Sequence, residues 1–373
     1  MIGLHKNHPT AYFDGARGFA VLLVWLSHTS GRGQEIADWL SFHGLGHIGV
    51  MLFFVLSGYL LSLPFKKGGK FSFRAYMVRR FLRIVPLYYL VLIAVYLLQI
   101  YTNEVYDQYL HIDQGFKGFL KHLLLVRGDG IFWTIPTEFM FYLFLPFVAM
   151  FLVGQTLIRY ALVCFLTLVY GAYHLAIYIG LIDMPSLMFI EVGKHSQYLD
   201  VFTLGVVFGV LSKNSCIAEY YERHNKVLNI VIFFAFTVTM IVTVILVCKS
   251  IFIFNQPFYP VRFVSFFYAF IFALTIYSAQ MGNRYIRYIF ESKVLVYMGV
   301  VGYSWYLLHM PVLQVVNLLN FPTWSLFLIS TVVITIISTI SYLLVEEPFI
   351  RVGKFLSSKS LTKNSKGLAD ARL

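Results

Sequence analysis

Residues 227–248 read VLNIVIFFAFTVTMIVTVILVC, an apolar run without one charged side chain. About 20 such residues cross the hydrocarbon core of a bilayer as an α-helix. A helix apolar on all its faces belongs either in a large core or in lipid, and the rest of the chain decides for lipid. Of 373 residues, 59% are hydrophobic and only 12% charged, with a mean hydropathy of +0.75. A soluble domain carries about 25% charged residues. The 37 Phe and 26 Tyr are more rings than a soluble core of this length could enclose. Outward from that run, ten apolar segments separate at approximately 15–30, 46–63, 84–101, 132–153, 160–180, 197–212, 227–248, 260–280, 294–316 and 323–345. The expected fold is an all-α integral membrane protein, a bundle of about ten transmembrane helices. Several segments are shorter than a perpendicular span needs, which suits helices that line a cavity.

The net charge of +12 is not arranged as a nucleic-acid-binding face. It sits in short runs between apolar segments, the pattern that sets membrane topology. Lys66, Lys67, Lys70, Arg74, Arg79, Arg80 and Arg83 follow the second segment with no acid among them. The same side collects Arg159, then Lys213, Arg223 and Lys226, then Arg284, Arg287 and Lys293, and a Lys-rich tail. Opposite loops carry Glu35, Asp38, Glu104, Asp107, Asp113, Asp129, Asp183 and Glu191; the loop at Lys249 is the weak exception. Both termini are therefore expected in the cytoplasm, with a transmembrane domain over 1–356 and a polar, flexible tail over 357–373. The run from Phe19 to Leu26 follows Asp14 and Arg17 and precedes no cleavage site, so it reads as a retained span. Cys164, Cys216 and Cys248 have neither metal-site spacing nor a disulfide framework.

Charges and imidazoles inside spans are costly, and that makes them functional candidates. Arg17 and His28 stand eleven residues apart, about three turns, on one face and roughly 16 Å apart along the axis. Arg17 can hold an anion while His28 accepts a proton from a hydroxyl; alternatively Arg17 snorkels and His28 ends the span. Arg79, Arg80 and Arg83 read as a phosphate clamp or as positive-inside anchors. Glu138, in Trp133-Thr134-Ile135-Pro136-Thr137-Glu138, either orients an imidazole, neutralises an arginine or makes a structural pair between helices. Ser304, Trp305 and His309 form a polar seam in the segment 294–316, or simply bridge helices. Glu346 and Glu347 close the last segment, where they pair with the arginine cluster or cap a solvated end. His43 and His47 are too slight a pair to argue for a metal site, and none is expected.

Together these stretches resemble the membrane acyltransferase-3 family, which O-acylates sugars and related acceptors. Phe13-Asp14-Gly15-Ala16-Arg17-Gly18-Phe19-Ala20 through His28 resembles its "(L)DGLRGLA…H" signature, and Val50 to Tyr59 resembles "GVxxFFVLSGF". Arg79 to Pro86 is similar to "RRxxRIxP", Trp133 to Tyr142 to "WTLxxExxFY", and Ser304 to Pro311 to "SYxxYLxHxP". Glu347-Pro348-Phe349 resembles the closing "ExPF". Ala16 and Ile135-Pro136 depart from the pattern without removing a polar group. The marks run from residue 12 to about 353, and the absence of an esterase-like domain after them points to a stand-alone acyltransferase.

The resemblance implies an acyl-CoA donor, most often acetyl-CoA, entering from the cytoplasm, and no permanently bound cofactor. Arg79, Arg80 and Arg83 would meet its phosphates. His28 would be general base or transient acyl carrier, Arg17 would hold phosphate or stabilise charge, and Glu138 would orient or pair. A glycan or other hydroxyl acceptor would approach from the outer side, with Trp133, Tyr142, Tyr303, Ser304, Tyr306 and His309 binding it or lining the cavity. The implied location is a bacterial inner membrane, with the lipid bilayer as partner. A secondary transporter of a sugar or organic anion would use similar residues but calls for an internal repeat, and none is visible. A structural or assembly protein would leave the ordered motifs unexplained.

Overall fold

The computed structural model describes residues 10–30, 42–65, 69, 71–102, 110–154, 157–178, 198–254, 262–319 and 321–370. Among them every regular element is helical. Glu35, Asp38, Glu104, Asp107, Asp183, Glu191, Lys66, Lys67 and Lys70, on which the topology reading drew, lie outside the described residues. In chain order the helices are α1 (Ala11–Thr29), α2 (Leu45–Ser62), α3 (Phe73–Thr102), α4 (Gly115–Leu123), α5 (Thr134–Leu152), α6 (Leu157–Tyr178) and α7 (Leu199–Leu211). They continue with α8 (Ser215–Arg223), α9 (Asn225–Phe254), α10 (Arg262–Gln280), α11 (Arg284–Phe290), α12 (Lys293–Val300), α13 (Gly302–Asn317), α14 (Thr323–Ser341) and α15 (Glu347–Asp370). A 3-10 turn, Gly130–Trp133, precedes α5, and a π-helical segment, Tyr342–Glu346, joins α14 to α15. The domain boundary expected at 356/357 thus falls inside one helix.

Among the described residues five helical stretches are long and apolar enough to cross a membrane: Leu45–Ser62, Phe73–Tyr101, Gly130–Leu152, Asn225–Cys248 and Thr323–Ser358. Two bent pairs, Leu199–Leu211 with Ser215–Arg223 at 83° and Ser265–Gln280 with Arg284–Phe290 at 101°, raise the number to seven if each is one span. The chain is a multi-pass integral membrane protein, and its described residues carry five to seven spans of that kind against ten apolar segments in the sequence. The difference has physical causes. Asp14 and Arg17 make α1 more polar than a lipid-facing helix, and the run 294–316 breaks at Val301 into α12 and α13. Phe234, Ile241 and Ile245 of α9 and Leu328, Val332 and Ile336 of α14 are exposed, as lipid-facing side chains must be. Pro86, Pro146 and Pro311 sit inside α3, α5 and α13, where neighbouring helices can satisfy the backbone groups they free.

The core gathers around α1, which packs most extensively on α12 and α2. Backbone meets backbone there. A Cβ at Gly18 would fall 1.8 Å from the Leu295 carbonyl oxygen, and one at Gly299 would fall 1.7 Å from that of Asp14. Small residues allow such approach between membrane helices. The consequence is positional, because α1 carries both Arg17 and His28.

At the far end, α4 and the 3-10 turn are held by a polar network. Arg127 pairs with Asp129 at 2.8 Å and with Asp113 at 3.0 Å. The fully buried His122 donates from Nδ1 to the Gly118 carbonyl at 2.9 Å, and its Nε2 accepts the Asp129 N–H at 2.9 Å. That geometry requires a neutral ring. Burial pushes the His122 pKa below its ordinary value, against the Gly118 hydrogen bond and the charge of Asp129, which favour the cation. An unfolded imidazole titrates near about 6.5, so this group's contribution is complete above that pH and is lost as pH falls below it. Thermal unfolding in detergent is therefore expected to shift to lower temperature between pH 8 and pH 5.5, and His122→Asn should flatten that dependence. An identical slope in the variant would show that other groups set it.

Candidate active site

Two cavities follow one another along α1. The first, ≈ 110 Å³, lies at the end of the bundle that carries the basic start of α3. Arg17, Arg80, Arg83, Glu138 and Glu346 line it, with Ser57, Tyr142, Tyr303 and Tyr306 among the polar and aromatic walls. The second, ≈ 480 Å³, is lined by Ser27, His28, His43, His47, Trp133 and Tyr306, together with Gly130 and Ile131 of the 3-10 turn. Val50 and Tyr306 belong to both linings and stand between the two spaces. The helical spacing of Arg17 and His28 has a direct structural expression, since one residue opens on each cavity.

The arginine cavity is built from several helices at once. Arg80 and Arg83 are three residues apart on α3 and share a face. Arg79 points elsewhere and donates to Ser357 Oγ on α15 at 3.3 Å. Arg17 donates to Asp14 at 2.6 Å one turn earlier on α1. The Arg80 Nε is buried without a hydrogen-bond partner among the described residues. A buried guanidinium donor left unsatisfied is expensive, and an anion in the cavity would satisfy it. Glu138 accepts from Ser57 Oγ at 2.8 Å and from the Tyr142 hydroxyl. It therefore sits with the arginines and away from His28, and its geometry suits charge balance rather than holding an imidazole.

Glu346 completes this cavity, at the end of the last apolar segment. It is 3% exposed and accepts from Ser304 Oγ at 3.0 Å. Its neighbour Glu347 faces outward and pairs with Arg351 at 2.6 Å. The π segment makes the choice, because one extra residue per turn rotates Glu346 onto the inner face. Ser304 thus holds an acid in place and does not line either cavity. Tyr142 and Tyr303 lie on the arginine side; Tyr303 donates to the Ile84 carbonyl at 2.7 Å.

On the far side, the His28 and His309 rings stand 5.0 Å apart. His309 Nδ1 donates to the Tyr306 carbonyl, which leaves the lone pair of the neutral ring on Nε2. Trp133 packs near Tyr198, with ring centroids 5.2 Å apart, and offers a face to the cavity. His43 and His47 open on the same space, a placement that a loop position in the sequence could not reveal. Among the described residues no cluster of three or more His, Cys, Asp or Glu side chains could hold a metal.

Fold and site together define a multi-pass membrane protein with a cationic chamber at one end and an imidazole chamber at the other, sharing Val50 and Tyr306 in their walls. A family model described as an acyltransferase domain, acyltransferase-3, matches residues 10–343, and the chain belongs to that family. It is similar to O-acetyltransferase OatA of Staphylococcus aureus, at 25% identity over 94% of this chain and 59% of the relative. The chain thus spans only part of that relative's length. It is also similar to an O-acetyl transferase of Shigella phage Sf6, at 29% identity over 36% of this chain and 45% of the phage protein. No solved structure matches. Five of the six stretches that carried the resemblance supply cavity residues, and Glu346 stands immediately before the sixth.

Proposed function

We propose that the protein moves an acyl group, acetyl foremost, from cytoplasmic acyl-CoA through the bundle to a hydroxyl of a cell-envelope or exported glycan. The observation that carries this reading is the pair of neighbouring cavities that share Val50 and Tyr306, with guanidinium groups in one and His28 in the other. The basic end of the bundle, with both termini, faces the cytoplasm of a bacterial inner membrane. Donor phosphates meet Arg80 and Arg83 in bidentate, charge-assisted contacts, and Arg79, turned to Ser357, adds positive charge on the same helix. The first cavity receives the pantetheine arm, whose amides find Ser57, Tyr142 and Tyr303. Its thioester then reaches the junction. The acceptor enters the larger cavity, where the Trp133 ring suits a sugar face.

There His28 takes the proton of the acceptor hydroxyl while that oxygen attacks the thioester carbonyl carbon. The carbon–sulfur bond breaks, and the departing thiolate recovers the proton from the imidazolium. The products are the ester and free CoA. If His28 instead carries the acyl group, CoA appears in a stoichiometric burst before any acceptor is added, and a rapid-mixing experiment separates the two routes.

The test uses purified protein in nanodiscs, radiolabelled acetyl-CoA and pooled cell-envelope glycan. A charge-assisted hydrogen bond contributes about 1.5–3 kcal/mol, and about 1.4 kcal/mol is tenfold. Arg80→Ala and Arg83→Ala should each raise the donor KM roughly 10–100-fold with a smaller change in kcat. An unchanged KM in both variants would remove these arginines as the donor site.

A further inference from the structure

The junction between the two cavities has its own chemistry, and we infer that Tyr306 and Val50 form a neck that selects the acyl group by length, passing acetyl and holding back chains of four carbons or more. This rests on the acyl-transfer reading. Val50 of α2 and Tyr306 of α13 are the side chains common to both linings, so they stand where the space around the arginines borders the space around His28. Neither is free to step aside. Val50 is 6% exposed and β-branched, which limits it to few rotamers. The Tyr306 hydroxyl donates to the Ile131 carbonyl at 3.0 Å and accepts from Thr134 Oγ1 at 3.2 Å, one partner lining each cavity. Its ring meets Phe53 edge to face at 6.4 Å and lies 5.6 Å from the His309 ring.

The volumes give the direction of the selection. Space is scarce on the donor side, ≈ 110 Å³, and ample on the His28 side, ≈ 480 Å³. A long acyl chain has no room to fold before the neck, while the large chamber is left to the acceptor. A close-packed wall of this kind answers to single methylene groups, each worth up to roughly 10–200-fold in a fitted site.

The experiment measures kcat/KM for CoA release from acetyl-, propionyl-, butyryl- and hexanoyl-CoA in nanodiscs, with pooled cell-envelope glycan as acceptor. Wild type should use butyryl-CoA at least about tenfold less well than acetyl-CoA. Val50→Ala and Tyr306→Ala should each raise the butyryl-to-acetyl ratio about tenfold or more, while Tyr306→Phe, which keeps the ring, should leave it within about twofold. Val50→Ala carries the test alone if Tyr306→Ala does not fold. An unchanged ratio in folded Val50→Ala and Tyr306→Ala, or a wild type indifferent to chain length, overturns the neck while leaving acyl transfer standing. Release of CoA from none of the donors by wild type overturns the acyl-transfer reading, and this inference with it.

Discussion

His28→Ala is expected to lower acyl transfer by roughly 10²–10⁴-fold, the contribution of a well-placed general base, while the protein folds normally and binds donor as before. The separation of the two effects comes from the geometry of α1. Arg17 and His28 lie on one helix but open on different cavities, so truncating the imidazole leaves the arginine chamber untouched. The side chain is half-buried at the edge of a large space, and its loss creates no overpacking. The measurement is label transfer from acetyl-CoA in nanodiscs beside donor affinity measured on the same sample. His28→Gln, polar but unable to take a proton at neutral pH, should fail as badly as alanine. Transfer by either variant within tenfold of wild type would mean that another group performs the proton transfer, and His309, 5.0 Å away ring to ring, would be the next to test.

Gly299→Val, on α12 in the wall of the arginine cavity, is expected to be strongly destabilising. The new Cβ would lie 1.7 Å from the Asp14 carbonyl oxygen and 2.5 Å from its carbon, both backbone atoms of α1. No rotamer change relieves that contact. The helices must separate, at a cost above the about 1–3 kcal/mol of ordinary overpacking. Arg17, three residues from Asp14, would move with them. Thermal unfolding in detergent should drop sharply or the protein should fail to purify as a folded species, and Gly18→Val should behave alike because its Cβ meets the Leu295 carbonyl oxygen at 1.8 Å. Gly353→Ala is the control. Its Cβ would meet Leu82 at an ordinary 3.4 Å, and alanine is favoured over glycine within a helix by up to about 1 kcal/mol. Equal stability of Gly299→Val and Gly353→Ala would contradict the close packing of α1 on α12.

The sequence announced the helical membrane class because bulk composition and long apolar runs report the solvent directly. It also placed Arg17 and His28 on one face, since helical periodicity needs no partner to be read. Other features depend on what lies across the gap. Arg79, Arg80 and Arg83 looked alike as a basic run, and only the helical phase of α3 sends Arg79 to Ser357 and the other two inward. Glu346 and Glu347 could not be told apart from a regular 3.6-residue period, because the π segment resets the phase. Gly18 was visible within its motif but not interpretable, for the atom that forbids a side chain there belongs to Leu295, far along the chain. Tyr142 and Tyr303, expected with the acceptor among other possibilities, lie with the arginines. Among the described residues, bends and breaks such as the one at Val301 divide apolar runs that composition reads as continuous.

The central claim is that an acyl group travels from the arginine end of the bundle to the His28 end. Its most direct test is a sided one: proteoliposomes sorted so that the basic end faces outward, with labelled acetyl-CoA outside and cell-envelope glycan sealed inside. Passage through the two cavities requires acetylated glycan in the lumen and free CoA outside, both absent with His28→Ala. Acetylated product only when donor and acceptor share one side of the membrane would contradict it.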